Sequence, residues 1–201
     1  MLYLNYTDRF FFFTDKLNLI DEKQINKFKN LSIVYNVAKN NLNINEFLKI
    51  KKFCRKKKIK IYFPDNIKIA IKLGADGLFI SSTNNKIYQP FKSSFKIIGS
   101  VHSQKEFYFK SKQKCNAIFL SPIFNNLKYS ANKILELTKF NLISLYWKSN
   151  LIALGGINEN NFNKIKYTKC CAIGFISWPQ RFKIKKPVYF FKNTRALFNY
   201  I

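Results

Sequence analysis

Acidic side chains are scarce in this sequence, and their scarcity limits the chemistry that the chain can support. Only 10 Asp and Glu residues stand against 36 Lys and Arg residues in a chain of 201, which gives a formal net charge of +26 at pH 7. Paired carboxylates carry glycoside hydrolysis, and clustered carboxylates hold most two-metal centres. The composition therefore argues against both of these enzyme classes.

Arginine is scarce as well, although the chain is strongly basic. It occurs only at Arg9, Arg55, Arg181 and Arg195. Readout of base edges in nucleic acids favours the two-pronged guanidinium group, which lysine lacks. Lysine is spread over nearly every segment, which indicates a solvated, compositional background. Denser basic stretches at 51–60 and 181–186 keep one alternative open, a protein that binds nucleic acid or another anionic partner through its lysine-rich surface.

Long apolar runs and clusters of metal-binding side chains are also missing. No stretch of about 18 uninterrupted apolar residues occurs, so we expect no membrane span and no signal peptide, and a cytoplasmic location as the default. The chain has one histidine, His102, and its cysteines are Cys54, Cys115, Cys170 and Cys171. These spacings match no zinc site, and we expect free thiols.

Apolar residues are abundant, and they recur in a repeated pattern. They make up 47% of the chain, and aromatic residues make up 17%, which is enough to fold a stable core. Each of three segments runs from a small-residue turn through an apolar stretch to Phe-Ile-Ser or Phe-Leu-Ser: 72–81, 114–121 and 169–178. Such continuous apolar runs are typical of parallel strands buried on both faces.

Further apolar runs bring the number of predicted strands to eight. They lie at 2–6, 31–37, 59–63, 95–99 and 151–155. Segments whose apolar residues recur at helical spacing separate most of these strands, as at Ile44, Phe47 and Leu48, or at Ile67, Ala70 and Ile71. Ser103 and Glu106 form a capping box, which predicts the start of another helix. The pattern predicts an α/β protein, a single-domain (βα)8 TIM barrel over residues 1–201, with a doubly wound open sheet as the alternative.

In such barrels the active site lies at the carboxyl ends of the strands, and phosphate commonly binds after strands seven and eight. Gly155 and Gly156 follow the predicted strand seven and precede a predicted helix, whose first amides would favour an anion. Ser177 closes the neighbouring strand eight. These residues predict a phosphate site, although a tight turn capped by Asn158 also explains the two glycines.

Two further side chains lie at predicted strand ends. His102 follows strand five, and imidazole is the side chain that ordinarily exchanges protons near neutral pH. Asp65 follows strand three and is the best candidate carboxylate. A purely structural histidine and a helix-capping aspartate remain equally compatible with the sequence.

Several short segments, taken in order, resemble landmarks of the thiamine-phosphate synthase and thiazole tautomerase family. They are DNIKIAIKLGADGLFI at 65–80, IGSVHS at 98–103, SPIF at 121–124, ALGGIN at 153–158 and FIS at 175–177. The resemblance implies a (βα)8 barrel of thiamine biosynthesis that binds a phosphorylated thiazole. It implies either a synthase-like transferase or a tautomerase-like isomerase.

The resemblance also implies roles for individual residues. The positions that match phosphate- and substrate-binding residues of the family are Gly155, Gly156, Ile176, Ser177, Lys128 and Ser100. His102 matches the position to which the tautomerase branch assigns proton transfer. Asp65 matches one of two aspartates that hold Mg2+ in the synthase. No organic cofactor is implied, and the expected partner is a small phosphorylated molecule rather than a membrane or nucleic acid; a homo-oligomer is compatible with the sequence.

Several family positions are not retained. The Gln-x-Arg-x-Lys pattern after strand two reads YNVAK at 35–39, and the Thr-x-Thr before the lysine reads NNL at 125–127. Pro64 replaces the asparagine before Asp65, and the second magnesium aspartate falls near Asn84. Most ligands for pyrophosphate and Mg2+ are therefore absent, so a barrel that has lost catalysis remains an alternative.

Overall fold

The computed structural model describes residues 8–26, 28, 30–36, 42–88, 95–125, 130, 133–147 and 150–177. Its eight strands are all parallel, pair in sequence order and close when the eighth strand pairs with the first. The closed barrel confirms the predicted (βα)8 fold. The alternative of an open, doubly wound sheet is wrong.

Strands and helices alternate along the chain. The strands are β1 Phe10–Thr14, β2 Leu31–Tyr35, β3 Lys60–Pro64, β4 Gly77–Ile80, β5 Lys96–Val101, β6 Ala117–Leu120, β7 Asn150–Leu154 and β8 Ala172–Phe175. The α-helices are α1 Glu22–Ile25, α2 Ile44–Lys57, α3 Ile67–Lys72, α4 Gln104–Lys112 and α5 Glu136–Ser144, with 3-10 helices at Leu17–Leu19 and Phe162–Tyr167. None of the helices in these described ranges is long and apolar enough to cross a membrane.

The first strand lies elsewhere than the sequence pattern predicted. The predicted segment 2–6 is outside the described residues, and β1 occupies the first place in the barrel instead. All five residues of β1 are buried. Phe11 and Phe13 point into the barrel, whereas Phe10 and Phe12 point to the surrounding helices. A continuous phenylalanine run is what a strand buried on both faces requires.

Aromatic rings fill the barrel interior. The ring centroid of Phe119 on β6 lies 5.1 Å from that of Phe11, 5.0 Å from that of Phe13 and 5.9 Å from that of Phe79. The corresponding interplanar angles are 84°, 69° and 72°. This edge-to-face geometry suits the quadrupoles of the rings. The interior is thus a packed core, so a ligand has room only above it, at the carboxyl ends of the strands.

The buried faces of the helices differ in detail from the predicted ones. In α2 only Phe47 of the predicted trio is buried, together with Ile50 and Cys54, while Ile44 and Leu48 are 41% and 43% exposed. In α3 Ala70 is buried but Ile71 is half exposed. The helix predicted after the two glycines is a six-residue 3-10 helix, Phe162–Tyr167. The buried stripes of α2 and α3 therefore contain only part of the apolar spacing that the sequence shows.

Candidate functional site

Two glycines form a sharp turn at the carboxyl end of β7. Gly155 and Gly156 have φ angles of 91° and 70°, a region that side chains disfavour. A Cβ atom on Gly156 would lie 2.2 Å from the carbonyl oxygen of Phe124. The turn is held against the segment after β6, because the Phe124 amide donates to the Gly155 carbonyl over 3.1 Å. Local packing therefore requires a glycine at 156, and the positive φ angle favours one at 155, as expected for a tight turn.

Two asparagines organise the backbone that follows. Asn158 Oδ1 accepts from the amides of Asn160 and Asn161, and the Asn158 amide donates to Asn161 Oδ1 over 2.8 Å. The Asn161 side chain also donates to the Gly156 carbonyl over 2.7 Å. The amides of Gly156 and Ile157 donate to no acceptor among the described residues. An anion here would therefore meet turn amides rather than the start of a long helix, which corrects the predicted helix-terminal arrangement.

The end of β8 lies beside this turn. Leu154 of β7 pairs with Gly174 of β8, so Gly156 and Ile176 occupy corresponding positions two residues further along the neighbouring strands. Ile176 and Ser177 are both exposed. The structure thus places Gly155, Gly156 and Ser177, which the sequence pattern assigned to phosphate binding, beside Ile176, which the resemblance added. Their role in binding stays a prediction.

His102 lies immediately after β5, exposed at the same end of the barrel. Its Nδ1 atom is 2.9 Å from the carbonyl oxygen of Ser121 and 3.1 Å from the Ser121 hydroxyl. Because a carbonyl oxygen only accepts hydrogen bonds, Nδ1 carries the hydrogen and Nε2 of the neutral ring keeps its lone pair. The contact therefore selects the tautomer that can accept a proton at Nε2.

Glu106 fixes the backbone of His102. Its Oε2 atom accepts from the His102 amide over 2.8 Å, and its Oε1 atom accepts from the Ser103 hydroxyl over 3.3 Å. Helix α4 begins where the capping box predicted, but the serine hydroxyl makes no hydrogen bond to a helix amide. Sequence reasoning missed Ser121 and Glu106 as partners of His102.

Of the other two residues predicted to bind substrate, Ser100 is described by the structure and Lys128 is not. Ser100 is buried in β5 and, because side chains alternate along a strand and Ile98 points inward, it faces the barrel interior below His102. Lys128 lies outside the described residues. The position of the family's glutamine after strand two is Tyr35, which is buried against Phe47 and donates its hydroxyl to the Asn43 carbonyl over 2.8 Å.

Asp65 connects the end of β3 to the segment after β4. Its Oδ1 atom accepts from the Ser81 amide and from Asn84 Nδ2, both over 2.8 Å, and its carbonyl accepts from the Tyr88 hydroxyl over 2.9 Å. Helix α3 is capped by Asn66, whose side chain accepts from the Ile69 amide. The alternative interpretation of Asp65 as the helix cap is therefore wrong.

The groups around Asp65 do not fit Mg2+. This ion requires oxygen ligands in octahedral geometry. Asn84 turns its NH2 group toward Asp65, while its oxygen accepts from the Lys86 amide over 3.0 Å. Across the described part of the chain, no group of three or more His, Cys, Asp or Glu residues could hold a metal ion. Within this part of the chain the Asp65 carboxylate is instead engaged in hydrogen bonds from Ser81 and Asn84.

The four cysteines are free thiols, as predicted. Burial raises the pKa of Cys54, Cys115 and Cys171 to about 12 and that of Cys170 to about 11. A thiol with such a pKa is protonated near neutral pH and is not a nucleophile. The cysteines therefore take no part in the candidate site.

Comparison with known proteins points to one family. Residues 34–178 match the family model of thiamine monophosphate synthase. The thiamine-phosphate synthase of Clostridium acetobutylicum is 30% identical over 149 residues, which cover 71% of this chain and 71% of that protein. The thiamine-phosphate synthase of Prochlorococcus marinus is 31% identical over 135 residues, 63% of this chain but 37% of the relative. The match thus spans little more than a third of that longer protein.

Solved structures agree in fold. The thiamine phosphate pyrophosphorylase of Pyrococcus furiosus superposes with a TM-score of 0.62 at 17% identity and covers 86% of each chain. The corresponding protein of Bacteroides thetaiotaomicron gives a TM-score of 0.53 at 18% identity, over 84% of this chain and 82% of that one. At these identities the likeness shows the barrel alone.

Proposed function

Because the chain belongs to the thiamine monophosphate synthase family, we propose that it is a thiamine-pathway enzyme that binds a phosphorylated thiazole at the ends of β7 and β8. The observation that carries this proposal is the turn at Gly155 and Gly156, whose backbone lies beside Ile176 and Ser177. Turn amides that donate to no acceptor in the described chain suit a phosphate group, because successive N–H groups attract an anion.

His102 supplies the proton transfer in this proposal. Its Nε2 atom takes a proton from one atom of the bound thiazole and returns it to another, while Nδ1–H stays bonded to the Ser121 carbonyl. The imidazole is unchanged after the cycle, so the reaction is an isomerisation and needs no further reactant. Such proton transfer by a positioned base commonly accelerates a reaction by about 10²–10⁴-fold.

Synthase activity is the second candidate, and the family match favours it. That reaction joins the thiazole nitrogen to a pyrimidine methyl group as pyrophosphate leaves, and it requires strong stabilisation of the leaving anion. Tyr35 and Asp65 are engaged in internal contacts at the positions where the synthase would need ligands. This arrangement supports the isomerisation over the transfer.

No specific observation favours the alternative of an anionic partner bound along the lysine-rich surface. In the stretch 51–60, Lys51 donates to the Leu73 carbonyl, Lys57 pairs with Glu22 over 2.9 Å and Lys60 pairs with Asp8 over 2.8 Å. The second stretch, 181–186, lies outside the described residues.

Calorimetric titration of the protein with the thiazole phosphate tests the proposal. We expect saturable binding, and much weaker binding of the same thiazole without its phosphate, because the turn amides recognise the anion. Both ligands are to be titrated into the same folded sample, checked by circular dichroism. Absence of binding at millimolar thiazole phosphate would contradict the proposal.

A further inference from the structure

One lysine in this basic protein is completely buried. Lys110 of α4 has no exposed surface, and among the described residues it is the only lysine in the buried class. Its Nζ atom donates to the carbonyl oxygens of Ser81 over 2.7 Å and of Asn84 over 2.9 Å. A positive charge is therefore held beneath the segment that follows β4.

The neighbouring chain is shaped to accommodate this lysine. Gly99 of β5 leaves room for its stem, because a Cβ atom there would lie 3.0 Å from Lys110 Cδ and 3.0 Å from Cys115 Sγ. Gln113, one turn further along, donates to the carbonyls of Asn84 and Lys86, each over 2.8 Å. Helix α4 and its C-cap residue Gln113 thus make four hydrogen bonds to carbonyl groups of one loop.

The same loop holds Asp65. In this loop the Ser81 amide and Asn84 Nδ2 donate to the Asp65 carboxylate, and the Tyr88 hydroxyl donates to the Asp65 carbonyl. The orientation of the Asn84 amide is fixed from both ends, since its oxygen accepts from the Lys86 amide. Burial lowers the pKa of Lys110, and the negative charge of Asp65 is among the influences that oppose this shift. Ser81 links the two groups, because its carbonyl accepts from the Lys110 ammonium and its amide donates to the Asp65 carboxylate.

We propose that the Lys110 ammonium and the Asn84 amide take the structural place of a divalent cation between the ends of β3 and β4, so that the protein binds neither Mg2+ nor Mn2+ there. A cation near Asp65 would face an NH2 group instead of an oxygen ligand and would be repelled by the buried ammonium. The loop that a metal would otherwise order is already tied to α4. The inference does not depend on the proposed function, because metal binding is measured without substrate.

Mn2+ binding, followed by electron paramagnetic resonance, tests this inference on three proteins. The wild type should show no saturable site at millimolar Mn2+. The Asn84→Asp variant places a second carboxylate beside Asp65 and should gain a saturable Mn2+ site, at least about tenfold tighter than any residual binding by the wild type, since added ligand charge raises affinity. Asn45→Asp is the matched control, because Asn45 is an exposed residue of α2 and the substitution changes the net charge equally.

Two outcomes would overturn the inference. The first is saturable Mn2+ binding by the wild type that Asp65→Asn removes. The second is the absence of any gained site both in N84D and in the double variant N84D/K110Q, with N84D shown to be folded by a cooperative thermal transition. A site gained by N84D and strengthened further by K110Q would support it, because that second change removes the repelling charge.

Discussion

At the scale of single residues, the contact between His102 and Ser121 determines which ring nitrogen of His102 can exchange a proton. The Ser121 carbonyl fixes the hydrogen on Nδ1, so only Nε2 can exchange protons. His102→Gln keeps a group that can donate to this carbonyl but has no exchangeable lone pair on nitrogen. We expect turnover of the thiazole tautomer to fall by about 10²–10⁴-fold with thiazole phosphate affinity nearly unchanged. Steady-state kinetics and calorimetry on the same preparations measure both.

Ser121→Ala serves as the control for this prediction. It removes the hydroxyl 3.1 Å from Nδ1 but leaves the backbone carbonyl in place. Its effect on turnover should therefore be small. If S121A lost as much turnover as H102Q, the Ser121 hydroxyl rather than its carbonyl would orient the imidazole. If H102Q retained full turnover, His102 would not transfer the proton.

The candidate residues could be found from the sequence because each follows a strand end, but their partners could not. His102 and Asp65 stand out by residue type and position alone. Ser121 and Asn84 become partners only when the strands are in register, since Ser121 lies 19 residues from His102 and Asn84 lies 19 residues from Asp65. Glu106 is a local partner, four residues from His102, but the capping box predicts its bond to the start of the helix rather than to the His102 amide. The magnesium role that the resemblance implies for Asp65 stays a prediction, and the direction of the Asn84 amide, which the fold sets, argues against it.

At the scale of elements, strands were easier to predict than helix faces. Interior strands of a parallel barrel are apolar throughout, so β4, β6 and β8 were visible as a repeat. The segment Phe10–Phe13 is equally apolar and forms β1, although the sequence analysis places the first strand at 2–6. In α2 the buried stripe follows Phe47, Ile50 and Cys54, and no local rule tells this stripe from one through Ile44 and Leu48. The choice depends on how the helix sits on the barrel wall.

The turn between β7 and β8 allows a prediction about stability. Gly156→Ala should lower the free energy of unfolding by about 3 kcal/mol, because the new Cβ would meet backbone atoms of Phe124 and also requires a positive φ. Gly74→Ala is the matched control. Its φ is 63°, but the nearest atom is the end of the flexible Lys51 side chain, so the loss should be about 1 kcal/mol. Urea unfolding measures both, and equal losses would contradict the packing argument.

At the scale of the whole molecule, the charge of +26 is mostly a property of the surface. Three ion pairs occur among the described residues, at Lys49–Glu46, Lys57–Glu22 and Lys60–Asp8. The core that holds the barrel together is instead apolar, in two layers inside and outside the strands. Stability should therefore come from burial rather than from charge pairing. That residues 1–201 form a single domain stays a prediction.

The cysteines offer a test of that prediction, because three buried thiols lie in different sectors of the barrel. Cys54 is on α2, Cys115 precedes β6 and Cys170 precedes β8. If the barrel opens only as one unit, all three should react with a thiol reagent at rates that share one dependence on urea, since each is exposed by the same global unfolding. Alkylation at increasing urea, read out for each peptide by mass spectrometry, measures this. Faster labelling of Cys170 alone, with a shallower dependence on urea, would mean that the last part of the barrel opens independently.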